Sequence, residues 1–370
     1  MSRKTFKYRL YPNRCQRERL TATLDVCREL YNAALEERIG AWKNRTPVNC
    51  YSQINQLPEV KAARPDVSGV FSQVLQDTLR RLDKTYQSFF RRVKAGQKAG
   101  FPRFKGRNRY DSFTYPQSGF ELNGKLQMSK IGNIKIKLHR AIIGDTKTLT
   151  IRREAGNWYA CFSVEFVPTA LPPSNKTVGI DVGLESFATL SDGTKIENPR
   201  FYKNAQKRLR RAQRKVARRV NRRSNRRRKA IVLLQKAHAH VANQRNDFQH
   251  KLSTGLVQKY GMIAVEDLNI KGLSAGILAK AVHDVGWSSF INMLTYKAEN
   301  AGRQLMRVDP RYTSQICPSC GVLEKKHISE RVHKCDCGLT LHRDHAAAFV
   351  ILGRGLRLQA STILEAECVA

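Results

Sequence analysis

The residues best suited to chemistry are three carboxylates in the second half of the chain. An apolar run over 177–180 ends at Asp181, and another over 261–265 ends at Glu266. Asp344 precedes three alanines and a phenylalanine, which predict a helix that begins near it. Singly, each acid is open to a structural interpretation as the cap of a turn or helix. Together, two acids at the ends of buried strands and one on a helix predict a two-metal site able to hydrolyse phosphodiester bonds, because divalent cations need oxygen ligands on rigid elements.

Four cysteines form a second candidate site. Cys317 and Cys320 make one pair, Cys335 and Cys337 another, and fourteen residues separate the pairs. The total of nine cysteines is odd, and four thiolates at this spacing predict a tetrahedral Zn²⁺ site in a reducing compartment. The alternative is four unrelated core cysteines.

The charge of the chain predicts a polyanionic partner. It has 67 Lys and Arg against 30 Asp and Glu, a formal net charge of +37. We find neither an apolar run near 18 residues nor a signal peptide, which argues against a membrane and favours nucleic acid. We therefore expect a cytoplasmic protein that acts on nucleic acid.

The positive charge is densest between the first two carboxylates. Residues 198–246 contain no acid, and 15 of the 27 residues over 203–229 are Lys or Arg. A run of mixed sign would be interpreted as a solvated helix face, whereas charge of one sign at this density indicates phosphate contact. The candidate contacts are Arg208, Arg211, Arg218 and Arg245.

The spacing of hydrophobic residues predicts which parts of the chain form strands and helices. Alternation over 4–10 predicts a strand, and apolar stripes at spacings of three and four predict helices near 20–35 and 75–89. Period-two patterns resume over about 113–170, and Pro172-Pro173-Ser174 is a candidate linker. Between these blocks, Phe101, Phe104 and Tyr110 stand among Lys and Arg, where they would either stack on bases or serve as packing residues.

Several separate motifs, in order along nearly the whole chain, resemble the TnpB family of proteins encoded by insertion sequences, relatives of type V CRISPR effectors. The matching stretches are 8–12 with Gln16, 100–105, 179–183, Arg245 with 247–248 and 250–253, 265–268, and the cysteine cluster.

The resemblance implies a multi-domain α/β fold. An RNase H-like RuvC nuclease domain (173–314 and 339–370) would contain an inserted zinc ribbon (315–338). A β-barrel-like wedge domain (1–14 and 113–172) would carry a helical recognition insertion (15–112). The RuvC triad would be Asp181, Glu266 and Asp344, holding two Mg²⁺ ions.

The implied function is that of a transposon-encoded, RNA-guided DNA endonuclease. Its partners would be a guide RNA from the transposon end and double-stranded target DNA, cut beside a short adjacent motif. The alternatives are a regulator that binds DNA under RNA guidance with weak or no cleavage, and a minimal type V CRISPR effector. The family usually reads Asp-Arg-Asp-x-Asn-Ala-Ala around the last acid, whereas His342 and Ala346 stand here at two polar positions. This difference bears on the rate of cleavage rather than on the identity of the site.

Overall fold

A computed structural model describes residues 2–107, 109–221, 224–276, 278–327 and 330–369, without the side chains of Lys271 and of 362–369. The chain divides into two compact units, Met1–Val167 and Pro168–Ala370. The division falls close to the candidate linker at 172–174.

The first unit contains an antiparallel sheet and a group of helices. Its strands are Ser2–Tyr11 (β1), Ser112–Tyr115 (β2), Phe120–Asn123 (β3), Lys125–Met128 (β4), Gly132–Lys137 (β5), Asp145–Glu154 (β6) and Asn157–Phe166 (β7). Between β1 and β2 lie the helices Arg14–Lys43 (α1), Cys50–Asn55 (α2), Leu57–Ala63 (α3), Pro65–Ser68 (α4) and Ser72–Lys94 (α5). The strand order is β2-β6-β7-β1-β5-β4-β3.

This sheet curves around a core. Phe6, Tyr8 and Leu10 of β1 are buried and alternate with exposed residues, which confirms the predicted strand. Phe120 of the edge strand β3 lies 6.4 Å, between ring centroids, from Phe162 of the central strand β7. Because three strands separate β3 from β7 in the order, this contact requires strong curvature, as a barrel-like domain would have.

The two predicted helices with apolar stripes are also confirmed. On α1 the buried residues include Leu20, Leu24 and Leu35, and the helix begins at a capping box in which Asn13 and Gln16 exchange hydrogen bonds. On α5 the stripe is fully buried only as far as Leu82. The later residues of α5 are half-buried or exposed.

The second unit is built on a mixed sheet. Its strands are Thr177–Val182 (β8), Ser186–Leu190 (β9), Lys195–Glu197 (β10), Met262–Glu266 (β11) and Gln304–Val308 (β12), with a separate hairpin of Val332–Lys334 (β13) and Thr340–His342 (β14). Its helices are Phe201–Ala217 (α6), Asn225–Lys259 (α7), Ile270–Leu273 (α8), Ala279–Val285 (α9), Trp287–Asn300 (α10) and Arg343–Val369 (α11). The strand order is β10-β9-β8-β11-β12, with β8, β11 and β12 parallel.

Alternation along β8 and β11 separates two faces of this sheet. Ile180 and Val265 pack into the core formed with α7 and α10. The intervening residues point the other way, where Ala264 packs with Ile351 of α11. The side chains of Asp181 and Glu266 therefore belong to the face that α11 covers. Within the described part of the chain, no helix is long and apolar enough to cross a membrane.

Candidate active site and metal centre

Asp181 and Glu266 are neighbours at the carboxyl ends of two parallel strands. The last registered pair between β8 and β11 is Ile180 with Val265, so the next residue on each strand is one of the two acids. Glu266 is 8% exposed and Asp181 is half-buried. Their positions follow from the pairing of β8 with β11, which spacing along the chain does not reveal.

The helix α11 carries Asp344 in its first turn and crosses β8 at a glycine. A Cβ added at Gly179 would lie 2.1 Å from the carbonyl oxygen of Ala348, so only glycine permits this approach of helix to strand. His345 also contacts the turn after β9, with its Nε2 3.2 Å from the carbonyl oxygen of Ser191. These contacts place Asp344 on the same face as the two strand acids.

The acids influence one another electrostatically. Burial, together with the negative charges of Glu266 and Asp344, raises the pKa of Asp181 well above its usual value, against the opposing effect of Arg343. Burial also raises the pKa of Glu266, although the hydroxyl of Thr313 and the charge of Arg354 act to lower it. The site therefore concentrates negative charge that a cation would stabilise.

The carboxylates are hard oxygen donors of the kind that Mg²⁺ prefers, and two of them stand on rigid strands. Their oxygens do not gather as a ligand set here: among the described residues, the only group of three or more metal-binding side chains with ligand atoms within 4.8 Å of one another is the cysteine cluster. In this structure the acids are thus coupled by charge but do not form a closed cage.

Thr313 is a residue of the site that the sequence analysis missed. It is 4% exposed, and its hydroxyl Oγ1 lies 2.5 Å from Oε1 of Glu266, to which it donates. Tyr312, just before it, has a φ of 61°, a left-handed turn in the segment between β12 and the cysteines. No residue type or spacing signals this contact, because it depends on how that segment folds back over β11.

The two unusual neighbours of Asp344 have structural roles. Nδ1 of His342 accepts a hydrogen bond from the backbone N–H of Asp344 at 3.3 Å and lies 3.9 Å from its Oδ2. His342 thus satisfies one of the free N–H groups at the start of α11. Ala346 is 2% exposed and belongs to the packed face of the helix.

The four predicted thiols come together. Sγ atoms of Cys317 and Cys337 are 3.7 Å apart, those of Cys320 and Cys335 are 3.5 Å apart, and all four lie within 4.8 Å of one another. Burial acts to raise the pKa of Cys317, but hydrogen bonds from the backbone N–H groups of Cys320 and Ser319 bring it down to about 7. Four converging thiols fit a tetrahedral Zn²⁺ ion.

A buried lysine adjoins the cysteines. The side chain of Lys326 is 4% exposed, contacts Nδ1 of the fully buried His333, and lies 3.9 Å from Glu324. Burial lowers the pKa of Lys326, while Glu324 and the thiols Cys317 and Cys335 act to raise it. Its positive charge is placed to offset the negative charge of ionised thiols.

The basic region forms two helices, α6 and α7, which pack through Leu209, Ala237 and Val241. Three of the four candidate arginines, Arg208, Arg211 and Arg218, are exposed. Arg245 differs, because its side chain is only 27% exposed and its Nη2 lies 4.0 Å from Oδ1 of Asp284. Asp284 also accepts the N–H of Tyr202 at 2.9 Å, so Arg245 takes part in packing within this unit.

The three candidate aromatic residues also differ in how far they are exposed. Tyr110 is 8% exposed and packs near Tyr31, 6.2 Å between ring centroids, which favours the packing interpretation. Phe101 and Phe104 are 49% and 55% exposed.

Comparisons with known proteins agree with this architecture. Residues 161–275 match the family described as "Probable transposase", and 287–351 match the "Cas12f1-like, TNB domain". Residues 1–46 match a "Helix-turn-helix domain", although the described residues there form a strand followed by a single long helix. In a solved structure, "Cryo-EM structure of the Cas12f1-sgRNA-target DNA complex", the matched chain has a TM-score of 0.54 at 15% identity, covering 91% of this chain and 82% of that one. The chain thus shares the multi-domain α/β fold of that Cas12f1 chain.

Two curated proteins are similar over almost their whole length. A "Putative RNA-guided DNA endonuclease" of Streptomyces pristinaespiralis is 35% identical, covering 97% of this chain and 90% of that protein. The "Putative RNA-guided DNA endonuclease InsQ" of Escherichia coli K12 is 33% identical, with coverages of 95% and 92%. The chain belongs to the TnpB family, as its motifs predicted.

Proposed function

We propose that this protein is a transposon-encoded, RNA-guided DNA endonuclease that cuts its target beside a short adjacent motif. Similarity to proteins named as RNA-guided DNA endonucleases over more than nine-tenths of the chain supports the activity. The formal charge of +37 supports two nucleic-acid partners, a guide RNA derived from the transposon end and a double-stranded DNA target. Its place of action would be the cytoplasm.

The observation that carries the proposal is the placement of three acids on one face of the five-stranded sheet. Asp181 and Glu266 follow the last registered pair of two parallel strands, and α11 brings Asp344 to the same face. In this RuvC-like site, rigid strands keep two of the acids in place, and burial restricts the access of water to Glu266.

These three residues would hold two Mg²⁺ ions, which, when bound, supply an activated water and stabilise the leaving oxygen of the phosphodiester. The protein's own contribution is orientation. Thr313 fixes one oxygen of Glu266, and the contact of α11 with Gly179 fixes the height of Asp344 above the sheet. No side-chain nucleophile is needed for this chemistry.

The remaining parts of the chain have proposed roles that follow the family pattern. The sheet of β1–β7 would be the wedge domain (1–14 and 113–172), and α1–α5 the recognition insertion (15–112). The RuvC-like domain would span 173–314 and 339–370. Its zinc ribbon (315–338) would bind Zn²⁺ through Cys317, Cys320, Cys335 and Cys337, whose sulfurs already converge.

Phosphate contacts are proposed for the exposed side chains of Arg208 and Arg211 on α6 and of Arg218 directly after it. Arg245 is a weaker candidate, because its guanidinium faces Asp284.

The test is cleavage of a plasmid library, randomised beside a fixed target, by the protein co-expressed with RNA from the flanking transposon end. Wild type should make guide-dependent double-strand cuts that require Mg²⁺. Asp181→Asn and Glu266→Gln should each remove cutting and retain RNA binding. The matched control is Glu197→Gln, an exposed acid on β10 of the same sheet, which should cut normally.

Each other outcome has a defined meaning. If the wild type binds DNA under RNA guidance but does not cut it, the protein is a DNA-binding regulator rather than an endonuclease. Undiminished cutting by Asp181→Asn would refute the proposed site.

A further inference from the structure

The end of α5 and the loop after it expose four large apolar side chains. Phe90 and Val93 on α5 are 59% and 51% exposed, and Phe101 and Phe104 in the loop are 49% and 55% exposed. We refer to these four residues, with the basic residues among them, as the aromatic–basic surface. It lies entirely within the first compact unit.

Two rings of this surface, Phe90 and Phe101, form one cluster with Tyr86 and Phe89. Phe90 stacks against Tyr86 with ring centroids 6.2 Å apart and an interplanar angle of 24°. Phe101 meets Tyr86 and Phe89 edge-on, at 5.8 Å and 5.4 Å. The inner rings are half-buried and support the outer ones, so that flat apolar faces are presented to solvent.

The loop that carries Phe101 and Phe104 is anchored between these two residues and after them. Pro102 and Tyr110 are buried. The backbone N–H of Lys105 donates to Oδ1 of Asn32 at 2.7 Å, and Nδ2 of Asn32 donates back to the carbonyl oxygen of Lys105 at 3.0 Å. A loop held in this way keeps both phenylalanines about half exposed to solvent, at 49% and 55%.

The electrostatic setting of these rings is strongly positive. Residues 84–110 include nine Lys and Arg and no acid, a second acid-free basic segment besides the one on α6 and α7. The acids at its two borders are both paired: Asp83 with Arg38 at 3.0 Å, and Asp111 with Arg153 at 3.4 Å. A second copy of this basic protein would be repelled from the surface, whereas a polyanion would be attracted.

We propose that the aromatic–basic surface binds unpaired nucleotides of the guide RNA, whose bases stack on Phe90, Phe101 and Phe104 while lysines and arginines contact the phosphates. This inference rests on the proposed function for the identity of the RNA. Single-stranded binding sites combine exposed aromatic faces with positive charge in this way. RNA is favoured over the DNA target because the target arrives as a duplex with its bases stacked, whereas guide RNA offers unpaired bases beforehand.

The experiment measures binding of the full-length protein to the flanking transposon RNA by fluorescence anisotropy. Phe90→Ala and Phe104→Ala should each weaken binding about five- to hundred-fold, the range for loss of one base–aromatic stack. Phe104→Trp should retain binding, because the ring remains. Tyr51→Ala is the matched control: this side chain is 76% exposed on α2, outside the basic segment, and its removal should change nothing.

A second RNA, in which the unpaired nucleotides are abasic, distinguishes the contribution of base stacking to binding from that of charge. Wild type should bind it at least as weakly as Phe90→Ala binds the intact RNA, because every base stack is lost. Equal affinity of wild type for the two RNAs, or unchanged binding by both phenylalanine variants, would overturn the inference. So would single-stranded DNA of the same sequence bound equally tightly with the same dependence on Phe90, or displacement of the RNA by an acidic peptide at equal charge concentration.

The inference and the proposed function fail in different ways. If wild type makes guided cuts while the phenylalanine variants bind RNA normally, only the inference is wrong. If wild type binds no transposon RNA at all, the proposed function is wrong as well.

Discussion

The hydroxyl of Thr313 donates a hydrogen bond to Oε1 of Glu266 across 2.5 Å, and both side chains are more than nine-tenths buried. Thr313 stands four residues before Cys317, on the segment that leads into the cysteine cluster. On the other side of that cluster, Arg343 donates to Oγ of Ser314 at 3.1 Å and is followed directly by Asp344. The segments on both sides of the cysteine cluster are therefore linked by hydrogen bonds to Glu266 or to the residue next to Asp344.

Replacing Thr313 tests this link. Thr313→Val keeps the shape of the side chain but leaves a buried oxygen of Glu266 without its donor, which costs about 1–3 kcal/mol. We expect a higher Mg²⁺ concentration for half-maximal cleavage and about ten-fold slower single-turnover cutting at low Mg²⁺. Thr313→Ser should restore both. A variant that melts earlier but keeps the wild-type Mg²⁺ dependence would show that Thr313 serves stability alone.

Two glycines in one helix provide a matched pair for the packing of α11. A Cβ at Gly355 would lie 2.5 Å from Cβ of Ala264 on β11, whereas a Cβ at Gly353 would meet nothing within 4 Å. We expect Gly355→Ala to lower the free energy of unfolding by about 1–3 kcal/mol through overpacking. Gly353→Ala should raise it by up to about 1 kcal/mol, because alanine favours a helix. Denaturant titration of both variants measures the contrast, and equal effects would contradict it.

The raised pKa of Asp181 predicts how stability depends on pH when no Mg²⁺ is added. The folded state holds this proton more tightly than the unfolded state does. The contribution is complete below the usual carboxyl pKa of about 4, and it is lost as pH rises through the raised pKa. Asp181→Asn removes this dependence, so its melting temperature relative to wild type should increase with pH across that window. Added Mg²⁺ should reduce the difference at high pH, and a difference that is constant with pH would refute the shift.

The basic helices and Arg245 are expected to respond differently to substitution. Arg208→Gln with Arg211→Gln removes two exposed charges, so nucleic-acid binding should weaken and its salt dependence should become shallower by about 0.7–0.9 per lost phosphate contact. Arg245→Gln should instead lower stability by up to about 1 kcal/mol, because Asp284 is 10% exposed and loses a cation 4.0 Å away. Binding measured over a salt series, beside thermal melting, distinguishes the two. A shallower salt dependence for Arg245→Gln at unchanged stability would make it a phosphate contact after all.

Loss of one thiol tests the zinc assignment. Elemental analysis should find zinc in the purified wild type and none in Cys320→Ser. The substitution should also lower the melting temperature, because binding energy at such sites contributes to folding. Cys15→Ser is the control, since Cys15 is exposed and lies outside the cluster. A Cys320→Ser protein with full zinc content would exclude this residue as a ligand.

Much of the architecture followed from local pattern. Alternation in β1 and the stripe on α1 correspond to buried faces in the structure. The three acids were found because each interrupts or precedes an apolar run, and the cysteines because their spacing is that of metal ligands. Local pattern also led to two candidates that the fold uses differently: Tyr110, which is buried in the core, and Arg245, which faces Asp284.

The sequence by itself thus determined the elements, the charge and the kinds of ligand, because periodicity, net charge and residue type are properties of nearby positions. Only the tertiary structure decided that Asp181 and Glu266 end adjacent strands, that α11 approaches β8 at Gly179, and that Thr313 reaches Glu266. These relationships join residues from 47 to 169 positions apart in the chain. They arise from strand pairing and close packing, which no short stretch of sequence encodes.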